Sequence, residues 1–202
     1  MRGHRGGAGM GGFPGQTTET TSSLGIQALG AVQVSRDGVE QKIGGTRQRR
    51  LLSVLLIHRD RVVSVDRVAE VVFEGEPTDA AATTLRSYVA RLRRTLGNAV
   101  VTRSPGYQLD TAGIAIDVVD FEAGVQAGRA ALQRQDPAGA VERLNTALAL
   151  WHGDAYAEFA DEPWAYPEAQ RLAELAGDSW ASRRGRVAGW PGPPRRDGSL
   201  LG

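Results

Sequence analysis

The chain has 202 residues and no cysteine, which excludes disulfides, thiol nucleophiles and thiolate metal ligands. The net charge of +1 conceals a division. Residues 46–103 hold 11 Arg against six acidic residues, a balance of +5; residues 117–178 hold four Arg against 12 acidic residues, a balance of −8; the last 24 residues return to +4. A basic segment beside an acidic one points to a polyanion on one side and a different partner on the other. His4, His58 and His152 stand far apart without metal-ligand spacing, so no metal or other cofactor is expected. The strongest apolar run, Leu51–Ile57, is far short of a membrane span, and the glycine-rich N-terminus has no apolar signal core. A soluble, cytoplasmic protein without a membrane partner is therefore expected.

Residues 1–23 are Gly-, Thr- and Ser-rich without apolar periodicity and read as a disordered leader. From Leu24 the pattern is short and β-like, with Ile26, Ala28, Val32, Val34, Val39, Gln41 and Ile43 at alternate positions. Arg36-Asp37-Gly38 reads as a turn between two runs, giving a small antiparallel sheet. A first helix is expected over Thr46–His58, apolar on most sides from Leu51 onward and so central to the core. Ser64 suits the N-cap of a second helix whose buried face is Val65, Val68, Ala69 and Val72. Phe73–Thr78 reads as a loop, because Pro77 bars helix there.

The third helix, ending at Gly97, carries the functional signal. In TLRSYVARLRRTLG, Leu85, Val89, Leu92 and Leu96 form one apolar stripe. Arg86, Ser87, Ala90, Arg91, Arg93 and Arg94 fan over the opposite arc. Ordinary surface helices mix acids with bases to gain i,i+4 pairs. Here no acid occurs between Asp79 and Asp110. Such a one-signed face fits a DNA major groove. Val100–Arg103 and Tyr107–Leu109 then read as two strands, joined by a type II turn with Pro105 and Gly106 at its corners and Arg103 near the tip. Three helices followed by such a hairpin have the order of a winged helix-turn-helix, whose hairpin leans on the DNA backbone or minor groove. Thr46, Arg47 and Arg49, at the start of the first helix, are candidate phosphate contacts. For Arg49 and Arg50 a surface pair with neighbouring acids is an equal alternative. Arg93, nearest the apolar stripe, is expected at phosphate or the core edge, and Tyr107 in hairpin packing.

The second half is helical in pattern. Phe121, Val125 and Leu132 mark one stripe, and Gly124 and Gly128 allow close approach of another helix. Asp136-Pro137 is a cap followed by an N1 proline. Val141, Leu144, Leu148 and Trp151 mark the next helix, a loop spans Gly153–Pro163, and a third helix is expected over Pro167–Leu175. Two such helices suit one unit of a TPR-like solenoid or, equally, a helical hairpin packed on the first domain. From Ser179 the pattern becomes basic and Gly/Pro-rich, and 179–202 reads as a disordered tail.

The stretches KIGGTRQRRLLSVLLIHRDRVVSVDRVAEVVF, TLRSYVARLRRTLG and TRSPGYQL together resemble the SARP group of antibiotic-pathway activators. The segment from FEAGVQAGRAALQ to QRLAEL resembles the beginning of their activator domain. The resemblance implies a mainly α fold with small β elements: an OmpR/PhoB-type winged helix over 24–112, then a partial bacterial transcriptional activator domain over 117–178. It implies binding to promoter direct repeats by two or more protomers and recruitment of RNA polymerase holoenzyme. It also implies that the loop with Phe73, Glu74, Gly75 and Glu76 can touch polymerase; Phe73 stands where relatives commonly have Trp. The change near Ser179 predicts a truncated or frame-shifted activator domain with an exposed apolar face around Leu172 and Leu175. The alternatives are a DNA-binding competitor that does not activate, and a helical-repeat adaptor. No phosphate loop, nucleophile elbow or HExxH occurs, so no enzyme is expected.

Overall fold

The computed structural model describes residues 23–75 and 79–183. The elements run β1 (Leu24–Gln27), β2 (Gln33–Arg36), β3 (Val39–Gln41), α1 (Thr46–Ile57), β4 (Val63–Ser64), α2 (Val65–Phe73), α3 (Asp79–Leu96), β5 (Val100–Arg103), β6 (Gly106–Leu109), β7 (Ile114–Ile116), α4 (Asp117–Gln133), α5 (Pro137–Leu148) and α6 (Tyr166–Arg183). The expected leader apart from Ser23, residues 76–78 with Glu76, and the tail from residue 184 lie outside the described residues.

The N-terminal sheet has the order β3-β2-β1-β7. Its first three strands are antiparallel as expected, and Asp37 (φ 54°) and Gly38 (φ 78°) form the two-residue hairpin between Arg36 and Val39. Positive φ at both corners suits a type I′ turn, which an Asp-Gly pair favours. The fourth strand corrects the expectation of a purely antiparallel sheet. Ile114–Ile116 pairs with β1 in parallel, Leu24 facing Ile114. This pairing spans some ninety residues, and three residues are too few for periodicity to reveal.

Helix α1 is the centre of the core: Leu51, Leu52, Val54, Leu55 and Leu56 are at most 1% exposed. Ser64 caps α2, its hydroxyl accepting from Arg67 N–H at 3.2 Å. Val68, Ala69 and Val72 are buried as read, together with Val71, whereas Val65 is half-buried. Helix α2 ends on Phe73 itself, and Glu74 takes the left-handed conformation that turns the chain away. On α3, Leu85, Val89, Leu92 and Leu96 are buried along the expected stripe.

The wing is a three-stranded sheet, β4-β6-β5. Arg103 pairs with Gly106, so the two corner residues are Ser104 and Pro105, joined by a cis peptide. The expected type II turn with Pro105 and Gly106 at its corners is thus corrected by one position. Gly106 lies inside the strand because β4 crosses it closely: an added Cβ would sit 1.8 Å from the Val63 carbonyl oxygen.

Helices α4 and α5 form a tight hairpin. An added Cβ on Gly124 would lie 2.8 Å from Ala147 Cβ, and one on Gly128 2.7 Å from Leu144. Asp136 accepts from Gly139 N–H and Pro137 occupies the first turn of α5. Phe121 and Val125 are buried, but Leu132 is 42% exposed and Ala131 takes the inward place. Helix α6 runs from Tyr166 to Arg183, well past Leu175 and past Ser179, which is buried. Leu172 is fully buried and Leu175 half-buried, so the expected exposed apolar face around them is not found.

The helical region is seated on the first half by main-chain bonds. The segment 151–165, which contains the Gly153–Pro163 stretch read from sequence as a loop, donates from His152, Tyr156 and Ala157 N–H to the carbonyls of Leu29, Ala28 and Gly30 at 2.8, 2.7 and 3.0 Å. Asp117 closes the joint. Its carboxylate accepts from Ala28 and Leu29 N–H at 2.9 Å and from Val118 N–H at 2.7 Å.

Candidate nucleic-acid interface

Helix α3 presents Arg86, Ser87, Ala90, Arg91 and Arg94 to solvent, because its apolar stripe faces the opposite way into the core. Arg86, Arg91, Arg94 and Arg103 form no ion pair among the described residues. In this they differ from Arg49, Arg50, Arg59 and Arg171, each held by at least one glutamate. Charged groups left without internal partners stay fully available to an external polyanion.

Arg93 takes a structural place on the same helix. Its Nε donates to Val100 O at 2.8 Å and its terminal nitrogen to Thr102 Oγ1 at 2.7 Å. This brace fastens β5 to α3 and sets the tip residue Arg103, which is exposed, beside the Arg-bearing helix. The core-edge place expected for Arg93 is the one it occupies. Tyr107 is 8% exposed and packs in the core, as expected.

The start of α1 divides into two kinds of residue. Thr46 and Arg47 are exposed, and the Arg47 guanidinium lies 5.6 Å from the Phe73 ring centroid. Phe73 in turn stacks on Tyr88 of α3 at 6.2 Å, so aromatic and cation–π contacts tie together α1, α2 and α3. Arg49 is held otherwise, donating to Glu158 Oε2 at 2.6 Å and to Gly44 O at 2.8 Å. Arg50 is 8% exposed, donates to Glu162 Oε1 at 2.6 Å and pairs with Glu74. The surface-pair alternative for Arg49 and Arg50 describes these contacts, with the difference that the Arg50 side is buried. The acids that meet them come mainly from the 151–165 segment, which sequence spacing had no means of placing there.

Of the residues expected in a loop here, Phe73 is the last of α2 and half-buried in the aromatic stack, Glu74 is tied to Arg50, and Gly75 is exposed with open space around it. Sequence reasoning also missed a four-member charge network at the joint. Arg59 bonds Glu122 at 2.6 Å and approaches Glu168 to 3.8 Å; Arg171 bonds Glu168 at 2.7 Å and reaches Glu122. The acidic excess of 117–178 was visible, but not that Glu122 and Glu168 face Arg59 of the first half.

A three-helix unit with a braced β wing, a one-signed Arg face and a helical region seated beside its sheet has the architecture of a winged-helix transcriptional regulator. Comparison with known proteins agrees. Residues 40–109 match the family described as transcriptional regulatory protein, C terminal, and residues 116–184 match the bacterial transcriptional activator domain. The chain belongs to the SARP family, which combines these two domains. It is 31% identical over 169 residues to the transcriptional regulatory protein EmbR of Mycobacterium tuberculosis, covering 78% of this chain and 42% of EmbR. It is 31% identical to the regulatory protein AfsR of Streptomyces coelicolor over 80% of this chain and 16% of AfsR, and 29% identical to the regulatory protein DnrI of Streptomyces peucetius over 64% of this chain and 52% of DnrI. The solved structure of M. tuberculosis EmbR in complex with a low affinity phosphopeptide superposes with a TM-score of 0.74 at 28% identity, over 80% of this chain and 45% of that one. The chain thus spans about half or less of the length of these relatives. The activator-domain match continues to residue 184, beyond Ser179, where the sequence pattern changes. These families and relatives are transcriptional regulators. Among the described residues, no helix is long and apolar enough to cross a membrane.

Proposed function

We propose that this protein is a sequence-specific DNA-binding activator of a secondary-metabolite gene cluster, acting in the cytoplasm on the nucleoid. The observation that carries the reading is the Arg face of α3, which forms no ion pair among the described residues and is locked to the wing by Arg93. In this reading Arg86, Ser87, Ala90, Arg91 and Arg94 enter the major groove, and Arg103 leans on the adjacent backbone or minor groove. Thr46 and Arg47 add phosphate contacts at the α1 N-terminus. Residues 24–112 are the DNA-binding unit, and the helical region from residue 117 is the partner-binding unit. Two or more protomers occupy promoter direct repeats, and the loop at Phe73–Gly75 with the neighbouring Glu76 meets RNA polymerase holoenzyme.

The test is a gel shift on regions upstream of the neighbouring gene cluster, paired with transcription by purified polymerase. Arg91→Ala or Arg94→Ala is expected to weaken operator binding by about 1–3 kcal/mol where the side chain reads a base. A phosphate contact instead lowers affinity evenly across sequences and flattens the salt dependence. Unchanged binding in both variants removes α3 from the recognition role. Binding without transcriptional gain identifies a competitor that occupies sites without activating. Failure to bind any duplex at low salt identifies a protein-binding adaptor.

A further inference from the structure

Arg50 joins two places that are distant in sequence. Its guanidinium pairs with Glu74, the residue that turns the chain out of α2, and donates to Glu162, on the segment that seats the helical region. The side chain is about nine-tenths buried, with the ring of Phe159, from the same seating segment, 5.7 Å from its centre. Glu74, Gly75, Glu162, Pro163 and Trp164 border one shallow groove of about 300 Å³, so loop and segment share a surface. A guanidinium is a planar fork able to hold two carboxylates at fixed angles, which an ammonium is not.

We propose that Arg50 is a positioning residue that sets the Glu74–Gly75 loop in place according to whether the 151–165 segment is seated on α1. When that segment is docked, Glu162 and Phe159 fix the guanidinium, and the guanidinium fixes Glu74. When it lifts, Arg50 loses one carboxylate and its aromatic support, and the loop loses its anchor. The helical region thereby controls the presentation of a surface formed by the winged helix. This rests on, and deepens, the reading of that loop as the polymerase-facing surface.

The chain lacks cysteine, so Gly75→Cys gives a single labelling site with open space around it. A nitroxide at that position in the full chain reports loop mobility without polymerase. Glu162→Gln removes the charge while keeping the shape, and Arg50→Lys keeps the charge while losing the fork. Both are expected to raise label mobility. In the unlabelled chain, Glu162→Gln is expected to lower transcription roughly two- to fivefold while operator affinity stays within about twofold. Glu158→Gln is the control. It breaks the neighbouring Arg49 pair, which does not reach the loop, and is expected to leave the label unchanged. An immobile label in both Glu162→Gln and Arg50→Lys overturns the proposal, as does an equal response to Glu158→Gln, which would be general loosening. Raised mobility with undiminished transcription upholds the positioning role and removes the loop from polymerase contact.

Discussion

Replacing Asp117 by Ala tests how the two halves are joined. The carboxylate is 8% exposed and accepts from three backbone N–H groups, those of Ala28, Leu29 and Val118, at 2.7–2.9 Å. Ala28 and Leu29 follow β1, and both N–H groups lose the Asp117 carboxylate as acceptor in the variant. Each buried donor left unpaired costs about 1–3 kcal/mol. Val118 N–H belongs to the first turn of α4, where donors lack helical partners in any case and water substitutes more easily. An offset enters from the charge itself. Burial raises the Asp117 carboxyl above the ordinary range, outweighing the lowering by the same N–H groups, so Ala escapes a desolvation cost. The net loss is about 3 kcal/mol, a large share of the ~5–15 kcal/mol that stabilises a typical domain. In urea this lowers the midpoint by roughly 1.5 M at a slope of about 2 kcal/mol per M. Asp117→Asn keeps one acceptor but turns an amide donor toward a backbone donor, and is expected to fall between wild type and Ala. A loss below about 1 kcal/mol in Asp117→Ala would falsify the reasoning, because it would mean that water satisfies the same donors.

Gly106→Ala places a Cβ 1.8 Å from Val63 O, a backbone atom with no freedom to yield. The β4–β6 pairing must part, with an expected loss above about 2 kcal/mol in urea melts and weaker operator binding as the wing loosens. Arg93→Ala removes the brace to Val100 and Thr102. It is expected to cost about 1 kcal/mol of stability and to lower affinity for matched and mismatched operators alike, read in parallel gel shifts. His58 has its pKa lowered, first by burial and then by Arg67 and Arg61, against a smaller opposing pull from Glu168. A group held neutral in the fold contributes stability above its unfolded pKa, and that contribution is lost as pH falls below about 6.5 toward the depressed value. His58→Gln should therefore flatten the decline in urea midpoint over that acidic window; a decline parallel to wild type would count against His58 as its source.

The local features of this protein were legible because they rest on residue type and short spacing. Leu85, Val89, Leu92 and Leu96 define the buried side of α3 by helical period alone, and the arginines on its other arc follow from the same geometry. Ser64 as a cap, Asp136 before Pro137, and Gly124 and Gly128 as close-approach positions each depend on a few neighbouring residues. The SARP resemblance then supplied the order of the two domains. The wing turn was misplaced by one residue, since Pro-Gly is compatible with several turns and only the strand register decides which residues stand at the corners.

Tertiary structure decided what pairs with what across long separations. That Ile114–Ile116 completes the first sheet, that Asp117 bonds the end of β1, and that residues 151–165 form the seat between the halves depend on contacts between residues about 90 to 130 apart. No periodicity encodes such contacts. The division among the arginines has the same origin. By sequence, Arg49 and Arg50 are open equally to phosphate and to neighbouring acids, whereas Arg91 and Arg94 lie on a face without acids. The fold brings Glu158, Glu162 and Glu74 to the first two and, among the described residues, pairs no acid with the second two. The sequence alone determined that a one-signed Arg face exists; the packing of the acidic half determined which arginines remain outside internal ion pairs.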